Sequence, residues 1–378
     1  MKLSRLAVQN VFSSNLSGEV QAVKFVNELL ELAVKKNASD VHIEPLEEVT
    51  RVRLRIDGLL CNVVEVLRSN HSAIVSRIKI ICGMDIAEKR LPQDGRVEVE
   101  VSGSKVDLRV STLPVINGEK VVIRLLEKSQ KLLQLEALNF SESNFKIYKQ
   151  LINSPHGIIL LTGPTGSGKS TTLYATLQEL NDETKNIITI EDPVERTIEG
   201  INQIAVNNKA GLTFATGLRS IVRQDPNIIM VGEIRDGETA KIAVQAALTG
   251  HLVFSTLHTN NAIGAVTRLL DIGIEPFLMA AALRGVVAQR LVRIICPYCK
   301  GGCDECNHTG YKGRIAVHEV LEITPKLQNM ITHGAEESAI LEAARENGFT
   351  TLMEDCNAKV QVGMTTSEEY YKVASGVV

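Results

Sequence analysis

Residues 158–177 read IILLTGPTGSGKSTTLYATL, and this stretch decides the fold. Ile158 to Leu161 form an apolar run of the length of a buried strand. Gly163, Pro164, Thr165, Gly166, Ser167, Gly168, Lys169 and Ser170 then satisfy the pattern G-x-x-x-x-G-K-[ST]. Helical spacing follows from Ser170 to Leu180. The chemistry needs these residue types in this order. Glycine lets the backbone take positive φ and approach phosphate oxygens closely. Successive N–H groups then face an anion at the N-terminus of a helix, whose dipole favours negative charge. Lys169 is expected to reach the β- and γ-phosphates and the Ser170 hydroxyl to ligate Mg²⁺, the binding segment running on to Thr171. The reading is an ATP-hydrolysing P-loop protein with ATP and Mg²⁺ as cofactors.

Hydrolysis needs acids as well. The apolar run Ile228 to Val231 ends in Gly232-Glu233, with glycine where a metal-holding aspartate would be expected. Glu233 is then the candidate for polarising the attacking water. A second acid is expected from IEDPVE, residues 190–195, at the end of the run Ile187 to Ile190; Glu191 heads that group, with Asp192 and Glu195 behind it. Strand ends of this kind are where open α/β sheets bind ligands. His251 and His258 flank a fourth run, Leu252 to Ser255, and His258 could sense the γ-phosphate. Short apolar runs separated by helices imply a parallel sheet covered on both faces.

Upstream of the loop the pattern changes. A helix is expected over Val23 to Lys36 and another over Ala73 to Met84. Arg51 to Ile56 alternates as a strand before the turn signal Asp57-Gly58. A hairpin is expected around Gly103, and a further strand over Lys120 to Leu126. The expected organisation is a loose segment 1–19, a compact α+β domain 20–128, a joint 129–139, and an ATPase domain 140–378 with a mostly helical tail from Ile315. The length of 378 residues suits two domains, at roughly 100–200 residues each. A hydrophobic content of 44% allows real cores, and a net charge of −3 gives no field that would gather nucleic acid. No apolar run approaches 18 residues and the N-terminus lacks a signal-peptide core, so a cytoplasmic protein is expected, attached to membranes through partners.

Four of the seven cysteines crowd into CPYCKGGCDEC, residues 296–306. Two C-x-x-C pairs, Cys296 with Cys299 and Cys303 with Cys306, can present four thiolates to one structural Zn²⁺, with His308 surplus.

Four blocks together resemble the signature of the type II secretion and type IV pilus assembly ATPases: GPTGSGKSTTLYATL, ITIEDPVE, RQDPNIIMVGEIRDGETA and TGHLVFSTLHTNNA. ASDVHIEP, RVRLRIDG, RLPQDGRVEV and DLRVSTLPVINGEKVVIRLL extend the resemblance over about residues 20 to 375. It implies an α/β fold with a RecA-like P-loop core, a smaller PAS-like N-terminal domain, and a homo-hexameric ring. It also implies a polytopic inner-membrane platform protein as partner, with a cytoplasmic docking domain of the machine, and no direct contact with nucleic acid. Glycine at 232 is normal for the family. The resemblance carries nucleotide-reaching roles onto Arg109 and Arg124, with Arg219, Arg223 and Arg235 as further candidates. Arg124 shares a strand side with Val122 and Leu126, a costly place for an unpaired cation. Paired C-x-x-C motifs mark assembly-type rather than retraction-type members, although members usually separate the pairs by tens of residues and only Lys300-Gly301-Gly302 intervene here. Two alternatives are a traffic ATPase of type IV secretion, moving DNA or effectors, and a nucleotide-binding scaffold without turnover.

Overall fold

The computed structural model describes residues 18–127, 134–299 and 301–376. Of the expected loose segment 1–19, residues 1–17 lie outside the described residues and Gly18 and Glu19 belong to a helix; the joint up to residue 133 also lies outside them. Backbone contacts group the chain into two compact units. One holds the N-terminal part together with the loop Tyr298–Gly310, and the other holds the remainder.

The first unit is an antiparallel sheet with helices on one face. Its elements are α1 (Gly18–Lys35), β1 (Ala38–Pro45), β2 (Val49–Ile56), β3 (Leu59–Leu67), α2 (His71–Ile81), β4 (Gln93–Val101), β5 (Ser104–Val115) and β6 (Gly118–Glu127). The strand order is β3-β2-β1-β6-β5-β4. Asp57 and Gly58 both take positive φ, which closes the β2–β3 hairpin with a turn matching the twist of its strands. Phe25, Leu29 and Ala33 of α1 and Ile74 and Ile78 of α2 bury against Ile43, Leu54, Leu108 and Ile123 of the sheet. Alternation sends the neighbouring residues to the opposite, polar face.

That polar face carries a cross-strand ladder in which Arg55 faces Asp40, Asp40 faces Arg124, Arg124 faces Arg109 and Arg109 faces Arg96. Arg124 is 62% exposed at its side chain, and its Nε lies 3.1 Å from the Asp40 carboxylate. The cost anticipated for a cation beside Val122 and Leu126 is therefore not incurred: that side faces outward, and Val121, Ile123 and Leu125 are the buried set.

The second unit contains α3 (Glu142–Ile152), β7 (Gly157–Thr162), α4 (Lys169–Leu180), β8 (Ile187–Glu191), β9 (Asn202–Ala205), α5 (Phe214–Ile221), β10 (Ile228–Val231), α6 (Gly237–Leu248), β11 (Leu252–Leu257), α7 (Ala262–Asp271), α8 (Pro276–Ala282), β12 (Leu283–Ile295) and β13 (Tyr311–Glu322). Helices α9 (Pro325–Thr332), α10 (Glu337–Arg345), α11 (Leu352–Gln361) and α12 (Ser367–Ser375) complete it. The sheet order is β13-β12-β7-β11-β10-β8-β9. Ile158 and Leu160 enter one core while Ile159 and Leu161 enter another on the opposite face, and β7 is buried at every position.

Two expectations need correction. The sheet is not wholly parallel, because β12 pairs antiparallel with β13. The tail is not helical from Ile315: residues 311–322 are that edge strand, and helices begin at Pro325. An uninterrupted apolar run such as Ile315 to Val317 suits a doubly covered strand as well as a helix, and its partner β12 lies on the far side of the cysteine loop. Leu135 and Leu138, within the expected joint, are buried in the core below β7. Beside them Phe140 stacks on His318 at 3.7 Å and on Tyr148 at 5.0 Å between ring centroids.

Candidate active site

The loop Gly163–Ser170 leaves the C-terminal end of β7 and opens α4. Gly166 and Gly168 have φ of 82° and 89°, so the backbone turns where an L side chain would be strained. Gly163 has no room for a side chain: a Cβ there would meet the Gln289 carbonyl at 2.5 Å and Ser167 Oγ at 2.7 Å. Lys169 is 8% exposed, and its ammonium donates to the carbonyls of Gly163 at 2.7 Å and Pro164 at 3.0 Å. Burial, reinforced by the charge of Arg290, lowers its pKa to about 8. The buried Ser167 hydroxyl has no hydrogen-bond partner. A cramped cradle, a desolvated cation and an orphaned hydroxyl fit a polyphosphate.

Glu233 stands just past β10, in the central part of the sheet. Its carboxylate takes a 2.5 Å ion pair from Arg235 and lies 3.6 Å from His258 Nε2. The Arg235 hydrogen bond holds the Glu233 carboxyl below its ordinary range, and Lys169 adds to that. Burial and the charge of Lys169 keep His258 below the usual imidazole value. Lys169, Glu233 and His258 thus feel one another's charge, and the charge of Glu195 also reaches Lys169. Gly232 is explained by crowding, since a Cβ there would press on the Glu191 Cα and the Ile190 carbonyl, both at 3.3 Å.

The structure takes the other candidates elsewhere. Arg219 pairs with Glu238, and Arg223 donates to the Arg219 carbonyl at 2.8 Å. His251 sits at the opposite end of β11 from His258 and bonds the Ala246 carbonyl at 2.8 Å. Arg109 and Arg124 belong to the sheet of the first unit.

Sequence reading missed two residues of β12. Gln289 donates to the Ser167 carbonyl at 2.9 Å and accepts from Thr172 at 2.7 Å, bracing the loop from behind. Arg290, 2% exposed, donates to the carbonyls of Gln289 and Asn260, tying the histidine segment to the sheet. Glu319 of β13 accepts from the Ala262 and Leu352 amides at 2.7 and 3.0 Å, and burial raises its pKa. A charged pair in adjacent apolar strands is the only signal that could have pointed to Arg290 and Glu319.

In the cysteine loop, the Sγ atoms of Cys296, Cys299, Cys303 and Cys306 all lie within 4.8 Å of one another. Cys306 is 3.6 Å from Cys299 and 3.8 Å from Cys303. Zn–S bonds of about 2.3 Å in a tetrahedron require sulfurs about 3.8 Å apart, so the set fits Zn²⁺. Burial opposes thiolate formation at Cys306, but the Cys303 and Gly310 amides and the neighbouring sulfurs outweigh it and lower its pKa to about 6. Gly301 and Gly302 lie in the short spacer between the two pairs.

A sequence profile described as Type II/IV secretion system protein matches residues 15–372. The chain belongs to that family. It is 49% identical over 377 residues to a Type II secretion system protein E of Pseudomonas aeruginosa, covering 93% of this chain and 75% of that protein. It is 50% identical to the Type II secretion system ATPase E of Vibrio cholerae, over the same shares. It is 48% identical to the Type IV pilus assembly ATPase PilB of Thermus thermophilus, covering 93% of this chain and 43% of that protein. Among solved structures, the pilus retraction motor PilT with bound ADP superposes at a TM-score of 0.67 with 27% identity, over 92% of this chain and 96% of that one. The ATPase DotB of Legionella pneumophila, at 0.74 and 24% identity over 93% and 95%, shares the fold. The chain is an ATPase of the type II secretion and type IV pilus family with a RecA-like core. Among the described residues no helix is long and apolar enough to cross a membrane.

Proposed function

We propose that this ATPase is the hexameric motor of an assembly machine, turning over ATP in the cytoplasm to add subunits to a type IV pilus, a secretion pseudopilus or a related DNA-uptake fibre. The observation that carries the enzymatic part is the convergence of Lys169, Glu233 and His258 at the phosphate loop. In this reading the loop amides from Gly163 to Thr171 hold the triphosphate and Lys169 exchanges its two carbonyl partners for phosphate oxygens. The Ser170 hydroxyl ligates the Mg²⁺ that travels with ATP. Glu233, released from Arg235, orients the attacking water, and His258 senses the γ-phosphate. Residues 191–195 supply the second acid.

Arg109 and Arg124, opposite one another on an outward-facing sheet, are proposed to meet the nucleotide when the domains close. A guanidinium suits charge building on a transferring phosphoryl group. Bond cleavage then becomes rotation of domains, transmitted to a polytopic platform protein and its cytoplasmic docking partner. Zn²⁺ on Cys296, Cys299, Cys303 and Cys306 would be structural, since four thiolates leave no open position. It supports assembly over retraction.

Phosphate release by the full chain and by Glu233→Gln tests the reading. Turnover in the wild type, lost at least 100-fold in the variant while nucleotide binding remains, is expected. Equal, near-zero rates in both would leave a scaffold that binds nucleotide without hydrolysing it.

A further inference from the structure

Glu191, the last residue of β8, looks from sequence like a ligand for metal or water, but its side chain is committed elsewhere. It is 5% exposed. Its carboxylate accepts the Tyr174 hydroxyl, the Thr189 hydroxyl at 2.6 Å and the Gln203 amide at 3.0 Å. These three donors come from α4, β8 and β9. Three of the carboxylate's roughly four acceptor sites are thus taken by protein donors. The same partners also hold the segment that follows. The Tyr174 oxygen accepts the Glu195 N–H at 3.1 Å. Gln203 donates to the Arg196 carbonyl at 2.9 Å and accepts the Ile198 N–H at 2.7 Å.

We propose that Glu191, Tyr174 and Gln203 form a strut between the phosphate-loop helix and the acidic segment, with Glu191 a positioning residue and Glu195 the acid presented to the nucleotide. The inference rests on the ATPase reading above and divides the acidic box within it. Tyr174, on the second turn of the helix that begins at Lys169, fixes the distance between that helix and the Glu195 backbone. Glu195 is exposed where Glu191 is buried, is held by its backbone N–H to Tyr174, and carries a charge that reaches Lys169. The strut therefore sets the acid relative to the phosphates without touching them.

Tyr174→Phe removes one oxygen and keeps the ring, so the core around α4 stays filled. In the full chain this change should lower kcat roughly 10- to 100-fold, as expected for a slightly misplaced group, with KM and the affinity for a fluorescent ADP analogue within about twofold of wild type. Glu191→Gln should fall similarly, because either orientation of its amide sets a donor against a donor, at the Tyr174 hydroxyl or at the Gln203 amide. The double variant should be no slower than either single, the mark of residues acting as one unit. The Mg²⁺ concentration for half-maximal rate should stay put in Glu191→Gln and rise in Glu195→Gln. A wild-type rate in Tyr174→Phe overturns the proposal, as does its loss of ADP binding, which would make the hydroxyl a folding element. A large Mg²⁺ shift in Glu191→Gln overturns it too, by making Glu191 a ligand. Silence of the wild type would instead remove the ATPase reading itself.

Discussion

Replacing Lys169 by methionine should leave the nucleotide-free protein more stable at neutral pH, although it destroys the nucleotide site. The magnitude follows from the lysine's surroundings. Burial and Arg290 bring the ammonium from an ordinary 10.5 down to about 8 in the folded chain. At pH 7 that difference corresponds to a penalty of ~3 kcal/mol against folding. Methionine removes the charge at similar length, but also the bonds to the Gly163 and Pro164 carbonyls, each contributing ~1 kcal/mol net. The variant should therefore gain ~1 kcal/mol at pH 7. Below pH 8 folded and unfolded chains both hold the proton and the penalty is full. Between pH 8 and 10.5 the folded chain releases it first, so by pH 9.5 the penalty has shrunk to ~1.4 kcal/mol and the gain is gone or reversed. Urea denaturation of wild type and variant without nucleotide, at pH 7 and 9.5, gives the two differences directly. A variant less stable than wild type at pH 7, by an amount that does not change with pH, would refute the reasoning. ADP should complement this, raising the wild-type midpoint by the equivalent of ~2.7 kcal/mol at a hundredfold excess over Kd and leaving the variant unmoved.

Gly163→Ala should abolish ATP binding and destabilise the second unit by ~2 kcal/mol or more, because the clash is with the Gln289 backbone and cannot be relieved by a side-chain shift; equilibrium binding and thermal melting report both. Cys306→Ser should reduce the zinc content measured by native mass spectrometry from one ion per chain to none, with a fall in melting temperature that chelator reproduces in wild type and not in the variant.

The phosphate loop was legible because its function is written in the backbone: glycines at set intervals and one lysine define the geometry wherever they occur. Ile187 to Ile190 and Ile228 to Val231 were legible because strands covered on both faces are mostly apolar, Thr189 being the exception. The same rule hid β12 and β13. Leu283 to Ile295 reads equally as strand or helix over a short window, and its antiparallel partner lies beyond the cysteine loop, so only tertiary pairing decides. Arg124 was misjudged through a related ambiguity, since Val122 and Leu126 are apolar residues on the outward face of a one-sided sheet. Glu191 and Glu195 stand alike in sequence, and what separates them is the position of Tyr174 and Gln203, residues 17 and 12 positions from Glu191. Gln289 was hidden for the same reason: it braces a loop 122 residues earlier.

The stack of Phe140 on His318 and Tyr148 has a mechanical consequence. His318 is fully buried with neither ring nitrogen hydrogen-bonded, and burial holds it far below the usual imidazole range, so the ring stays neutral and the stack stays apolar. Its backbone is bolted on both sides, by Asn144 at 3.1 Å and by Asp355 at 2.9 Å, the latter locked to Lys359. The segment that enters the second unit is therefore held at two places, by Leu135 and Leu138 in the core beneath β7 and by Phe140 against the edge strand β13. Tyr148, bonded through its hydroxyl to Thr176, ties the same stack to the helix that begins at Lys169.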